Sequence, residues 1–210
     1  MRTEQLVEAL VADRAAHRPV ARTLVWALAA GIALSLVAFF LELGVRTDIA
    51  AALTTWRFDL KIVTAVLALV LGFGLCLDCA RPDGPRHPLR RLLPLLALAV
   101  AAIAIELAAV PVADWKARLV GSNALVCLSA VPVLSLAPLV AALLILRRGA
   151  PASPALAGGA AGLLAAACGA TLYAFHCFDD SPLFVATWYT LAALPMVAIG
   201  ALAGWRLLRW

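Results

Sequence analysis

Cys127 and Cys177 are the residues best placed to do chemistry in this 210-residue chain. Cys177 sits in the string His176-Cys-Phe-Asp-Asp-Ser-Pro182, with an imidazole on one side and two carboxylates, Asp179 and Asp180, on the other. An imidazolium beside a thiol favours the reactive thiolate, and neighbouring carboxylates oppose it. His176, Asp179 and Asp180 are therefore candidate thiol-tuning groups. A second pair, Cys76-x-x-Cys79 beside Asp78, has the spacing of redox and metal motifs. Without a second ligand pair it does not complete a tetrahedral metal site, and buried, unpaired thiols are the plainer interpretation. The histidines are only His17, His87 and His176, too scattered for a metal signature. Neither a phosphate-binding loop nor a hydrolytic triad is apparent. These absences lead us to expect no metal, no cofactor and no enzymatic activity.

The elements that must position these residues are membrane spans. Hydrophobic residues make up 65% of the chain, charged residues 14%, and the mean hydropathy is +1.00. A soluble domain carries about 25% charge. The composition argues against a cytosolic enzyme, a disordered regulator and a nucleic-acid-binding domain. Six runs reach the roughly 20 apolar residues that cross a bilayer as a helix: Leu24–Leu43, Leu60–Cys79, Leu92–Val112, Ala124–Leu146, Ala155–His176 and Leu183–Trp205. They lack the alternation of barrel strands. The predicted fold class is all-α: a polytopic membrane protein of six transmembrane helices, preceded by a short cytosolic amphipathic helix. Residues 1–22 form the N-terminal unit and 23–210 the membrane domain.

Arginine placement orients the bundle. With the N-terminus in the cytoplasm, the inner segments hold Arg2, Arg14, Arg18, Arg22, Arg81, Arg86, Arg90, Arg91, Arg147, Arg148, Arg206 and Arg209. The outer segments hold only Arg46, Arg57, Lys61, Lys116 and Arg118. The positive-inside rule then places both termini in the cytoplasm. A cleaved signal peptide is not expected, because the charged lead is long and the first apolar run is span-length. In this topology Cys127 and Cys177 lie at similar depth near the outer surface, where an oxidising compartment permits a disulfide. Cys168 lies nine residues before Cys177, about 13 Å deeper and on the other helix face. A redox pair is one interpretation of Cys127 and Cys177; two unpaired small apolar residues is the other. Bridging requires Cα atoms within about 7 Å.

The N-terminal segment has its own pattern. Leu6, Val7, Leu10 and Val11 fall on one face of a helix over 3–17, with Glu4, Glu8, Asp13 and Arg14 as polar surface. Thr3 serves as its cap and Pro19 as its stop. Such a stripe either rests on the bilayer or docks into a groove on a cytosolic partner.

Most other features concern packing. Gly158, Gly162, Ala166 and Ala170 recur every four residues, as in close helix contacts, and Gly200 and Gly204 repeat the theme. Pro132 and Pro138 should kink the fourth span and free backbone carbonyls. Glu42 and Glu106 lie near span ends, where they reach the interface or pair with Arg46, Arg118 or each other.

The chain resembles the NrsF family of integral-membrane anti-sigma factors across nearly its whole length. The resemblance rests on the opening Met-Arg-Thr-Glu-Gln-Leu6, on Val131-Pro-Val-Leu-Ser-Leu-Ala-Pro-Leu139, and on Leu146-Arg-Arg-Gly-Ala-Pro151. It rests also on His176-Cys-Phe-Asp-Asp-Ser-Pro-Leu-Phe184, on Trp188-Tyr189, and on the closing Arg-Leu-Leu-Arg-Trp210. The resemblance implies a bacterial inner-membrane protein that holds an extracytoplasmic-function sigma factor inactive, with Cys127 and Cys177 as the family's functional cysteines. Leu6, Val7, Leu10 and Val11 then become candidate sigma-docking residues, and oxidative or thiol-reactive stress the candidate trigger of transcription. The expected partners are that sigma factor and the lipid bilayer, with no direct contact to nucleic acid and no small-molecule substrate. Two rivals are a membrane thiol oxidoreductase and a small solute or metal transporter using Glu42, Glu106, His176, Asp179 and Asp180. The first has its cysteine pairs on opposite sides of the bilayer, and the second lacks inverted repeats of broken helices.

Overall fold

A computed structural model describes residues 20–209. Among these residues the regular structure is entirely helical, and six helices are long and apolar enough to cross a membrane. We label the spanning helices α1 (Val20–Glu42), α2 (Trp56–Cys79), α3 (Leu93–Ala109), α4 (Ala124–Leu146), α5 (Pro154–Ala174) and α6 (Thr190–Leu207). A 3₁₀ turn, Pro88–Leu92, leads into α3. One α-helical turn, Pro182–Phe184, and a π-helical turn, Val185–Tyr189, lead into α6.

α5 is the axis of the bundle. Of its most apolar window 67% is buried, against 11% for α3 on the periphery. Small residues let α5 occupy the centre: Gly158 and Gly162 lie against the backbone of α6 at Gly200, Gly204 and Met196. A Cβ at Gly200 would overlap the Gly158 carbonyl oxygen, so this is a backbone-to-backbone contact. The small-residue spacing read from the sequence is thus an internal α5–α6 interface. We expect Gly200→Ala to cost about 1–3 kcal/mol through overpacking. Gly159→Ala, where the added Cβ would lie 3.7 Å from Ala201 Cβ, should be neutral or slightly stabilising. Thermal unfolding of the two variants in one detergent checks the difference.

α4 stays α-helical through both of its prolines. Proline at 138 cannot donate to the carbonyl of residue 134, and that freed acceptor is taken by Ser35 of α1: Ser35 Oγ donates to Leu134 O at 2.7 Å. Gly31 brings the α1 backbone to within reach, since a Cβ there would sit 3.0 Å from Pro138 Cα. Pro138 therefore helps dock α1 onto α4.

Two buried clusters divide the core. One holds Leu24, Leu28, Leu75, Leu146 and Leu164 together with Cys76, Cys79 and Cys168. The other holds Phe39, Cys127, Tyr173, Cys177, Phe184 and Tyr189. The second cluster lies at the end of the bundle where α1 joins α2 and α5 joins α6, here called the Cys177 end.

Candidate functional site

The two thiols singled out by depth share one cluster. Cys127, in the first turn of α4, and Cys177, just past α5, are both fully enclosed. All five cysteines are free thiols. Cys168 belongs to the other cluster, with Cys76 and Cys79.

The loop that carries Cys177 is gripped from three sides. From α2, Lys61 is 1% exposed; its Nζ donates to the Cys177 carbonyl at 2.8 Å and pairs closely with Asp180 Oδ1. From the segment after α1, Arg46 Nη1 donates to the same carbonyl at 3.0 Å and to both Asp180 oxygens at 2.9 Å. Arg46 also forks onto Asp48, through Nε at 2.6 Å and Nη2 at 2.8 Å. Those partners hold the Arg46 guanidinium above its ordinary pKa and the Asp48 carboxyl below its own. His176 Nδ1 lies 3.1 Å from the Gly44 carbonyl oxygen, which ties the loop to the end of α1. Two cations and two carboxylates thus balance around one peptide carbonyl, which is how charge is tolerated at low dielectric.

Asp179 serves α4. Its Oδ2 accepts from the backbone amides of Ser122 at 3.0 Å and Asn123 at 2.8 Å, directly before the helix that carries Cys127. A carboxylate there compensates the helix dipole and satisfies free amides. Tight backbone permits it: Gly121 has a φ of 59°, and a Cβ there would collide with Phe184 and Asp179. Asp179 and Asp180 therefore tie Cys177 to α4 on one side and to α1 and α2 on the other.

A second charge group lies alongside. Glu106, near the end of α3, is fully buried and accepts from Arg57 Nε at 2.9 Å, Arg118 Nη1 at 3.2 Å and Ser181 Oγ at 3.3 Å. Pairing with Arg118 is one of the outcomes its position suggests; Arg57 is a partner the sequence does not point to. Glu42 is exposed at the end of α1.

Burial pushes the Cys177 thiol above its ordinary pKa, and the nearby Lys61 ammonium opposes that shift only in part. The neutral thiol therefore dominates at pH 7, and direct attack on an oxidant is slow in the resting site. In a variant retaining Cys177 as its sole cysteine, we expect iodoacetamide labelling to keep accelerating above the ordinary thiol pKa of about 8.5. The denatured chain should level off near that value. A plateau below it in the folded protein would contradict the burial argument.

The match to the family described as negative regulator of sigma F covers residues 9–210. The chain belongs to the NrsF family. It is 34% identical over 215 aligned residues to the anti-sigma-F factor NrsF of Caulobacter vibrioides, with 100% of both chains covered. It is 32% identical over 217 residues to the probable anti-sigma-F factor NrsF of Azospira oryzae, again over 100% of both. No solved structure matches the chain. As an NrsF-family member it has a membrane-type helical bundle with the charged clamp just described. The candidate docking residues Leu6, Val7, Leu10 and Val11 lie outside the described residues. Sequence reasoning reads Lys61 and Arg57 only as outer-side charges, and Arg46, expected as a partner of Glu42 or Glu106, pairs instead with Asp48 and Asp180. The available signal is a basic residue at the edge of an apolar run, level with Asp180.

Proposed function

We propose that this protein is an anti-sigma factor that holds an extracytoplasmic-function sigma factor at the bacterial inner membrane. The full-length match to the NrsF family carries this assignment. Its N-terminal residues 1–22 dock the sigma factor through Leu6, Val7, Leu10 and Val11, and both termini face the cytoplasm. Cys127 and Cys177 face outward and act as the redox sensor, with His176, Asp179 and Asp180 setting the position and environment of Cys177.

Physical continuity supports coupling between these two ends. Arg46 grips the Cys177 loop four residues beyond α1, and Ser35 and Gly31 seat α1 on α4, which carries Cys127. A disulfide between the two cysteines would pull on both grips of α1, and α1 leads directly from the docking segment. Regulation requires that this shift bias two arrangements of the bundle differently for sigma binding. The rival thiol oxidoreductase is disfavoured because Cys76 and Cys79 sit in a different core cluster from Cys127 and Cys177.

The test is co-purification from native membranes in mild detergent, with mass spectrometry before and after brief oxidant treatment. A sigma factor should be captured before treatment and lost after it. The Leu6→Asp/Leu10→Asp variant should capture none at either time. Absence of any sigma factor from the untreated wild-type sample would refute the assignment.

A further inference from the structure

The two ends of the bundle differ in how their charges are balanced. At the Cys177 end, Arg46, Arg57, Lys61 and Arg118 all pair with carboxylates. At the opposite end, the loops 80–91 and 147–153 carry Arg81, Arg86, Arg90, Arg91, Arg147 and Arg148 against Asp83 and the neighbouring Asp78. Asp78 is taken by Arg91, whose Nε lies 2.7 Å from its Oδ2. The other five arginines have no carboxylate partner among the described residues. Unbalanced basic charge at a membrane edge attracts anionic headgroups.

A pocket of about 250 Å³ gathers part of this charge. It lies between the end of α2, the loop that follows and the start of α5, and Arg81, Arg86, Ser153 and Leu156 line it. The acid in its lining is Asp78, the one already paired with Arg91. Two close backbone approaches shape this end. A Cβ at Gly84 would collide with the Asp78 carbonyl oxygen, so the loop folds back over the end of α2. A Cβ at Gly149 would lie 2.8 Å from the Ala80 carbonyl oxygen, which sets the Arg147-Arg148 turn beside the same loop. α2 ends at Cys79 and α5 begins at Pro154, and both are of spanning length, so the pocket lies at headgroup level. One wall is apolar: Leu156, in the first turn of α5, is 36% exposed and carries the lining onto the lipid-facing surface.

We propose that this pocket binds the headgroup of an anionic phospholipid such as phosphatidylglycerol, its phosphate accepting from Arg81 and Arg86 and an acyl chain lying along Leu156. Guanidinium groups suit phosphate because their N–H donors fork onto two of its oxygens. Charge alone would suit an acidic protein segment equally well. The apolar wall decides for lipid, since a segment arriving from water gains nothing from a leucine that faces hydrocarbon. Bound there, the lipid joins α2 to α5, the axis of the bundle, at the end proposed to dock the sigma factor. The site rests on charge, depth and the pocket, and needs neither the sigma-factor nor the sensor assignment.

The experiment titrates dioleoylphosphatidylglycerol or dioleoylphosphatidylcholine, which share their acyl chains, into the full chain in detergent and counts bound lipids by native mass spectrometry. Wild type should take up one phosphatidylglycerol saturably, well ahead of phosphatidylcholine. Arg81→Gln/Arg86→Gln should weaken that uptake about thirtyfold, the combined effect of two interfacial arginines. Ala152→Trp fills the pocket from an exposed loop position with every charge in place, and should abolish the preference. Arg22→Gln/Arg206→Gln removes the same charge from exposed positions outside the pocket and should bind as wild type does. Glycerol phosphate at the lipid's concentration should displace nothing. Equal uptake of the two lipids by wild type, full affinity in Ala152→Trp, or an equal loss in Arg22→Gln/Arg206→Gln would overturn the pocket. Displacement by glycerol phosphate would overturn the lipid and assign a soluble phosphate ligand. Unchanged lipid affinity in Arg81→Gln/Arg86→Gln, with sigma-factor capture lost, would overturn the inference and give these arginines to the protein partner.

Discussion

With either Cys127 or Cys177 changed to Ser, the sigma factor is expected to stay bound under oxidant and stress-induced transcription to fall to its resting level. If the coupling between sensor and docking segment lies in the usual range of about 1–3 kcal/mol, the response lost is roughly 5- to 150-fold. Ser places a hydroxyl in an apolar site and on its own costs about 1–3 kcal/mol, so Cys→Ala at each position is the companion variant. Both replacements should leave resting repression intact, because each thiol is enclosed by Phe39, Tyr173, Phe184 and Tyr189 rather than exposed to a partner. Cys168→Ser is the internal control. That thiol lies in the other core cluster, and its loss should leave induction unchanged. A reporter gene driven by the cognate sigma factor reads all five variants. Normal induction in both Ala variants would end the sensor assignment and leave the two thiols as packing residues.

The spans were legible because hydropathy and length alone decide them, and α4 runs over the residues the apolar run suggests, Ala124–Leu146. α2 begins earlier than its apolar run. Thr55 caps it, accepting from Phe58 N, and the first turns include Arg57, Asp59 and Lys61. A hydropathy pattern stops short of Arg57 and Asp59, since it cannot know that Glu106 neutralises Arg57. The same blindness hides the clamp. Lys61 and Asp180 are 119 positions apart, and Ser35 and Leu134 are 99 apart, so no local spacing announces either contact. The π-helical turn before α6 has no local signature either. By contrast, the small-residue contact of α5 with α6 and the shared level of Cys127 and Cys177 follow from residue size and depth along a helix. Depth along a span is a one-dimensional property that sequence preserves, and lateral pairing is not.

Lys61→Met is expected to destabilise the folded protein by about 3–5 kcal/mol, the usual result of removing one partner from a buried ion pair. Met matches the aliphatic stem of Lys61, so packing changes little while Asp180 loses its closest cation. Arg46 still neutralises Asp180 in part, through two contacts of 2.9 Å, which places the expected loss toward the lower end of that range. Adding Asp180→Asn should recover part of it, because Arg46 and Asp48 then balance each other without the uncompensated carboxylate. The recovery is read as a coupling energy of about 0.5–3 kcal/mol from a double-mutant cycle of unfolding in detergent. The functional readout separates two roles for the clamp. Lys61 and Arg46 both hold the Cys177 carbonyl, so loosening one hold mimics what oxidation is proposed to do. Unstressed transcription should then rise in Lys61→Met at protein levels matched to wild type, and rise without any change in thiol state. Full repression at matched levels would mean that the clamp serves stability alone, and that oxidation reaches α1 through α4 at the Ser35 and Gly31 contacts instead.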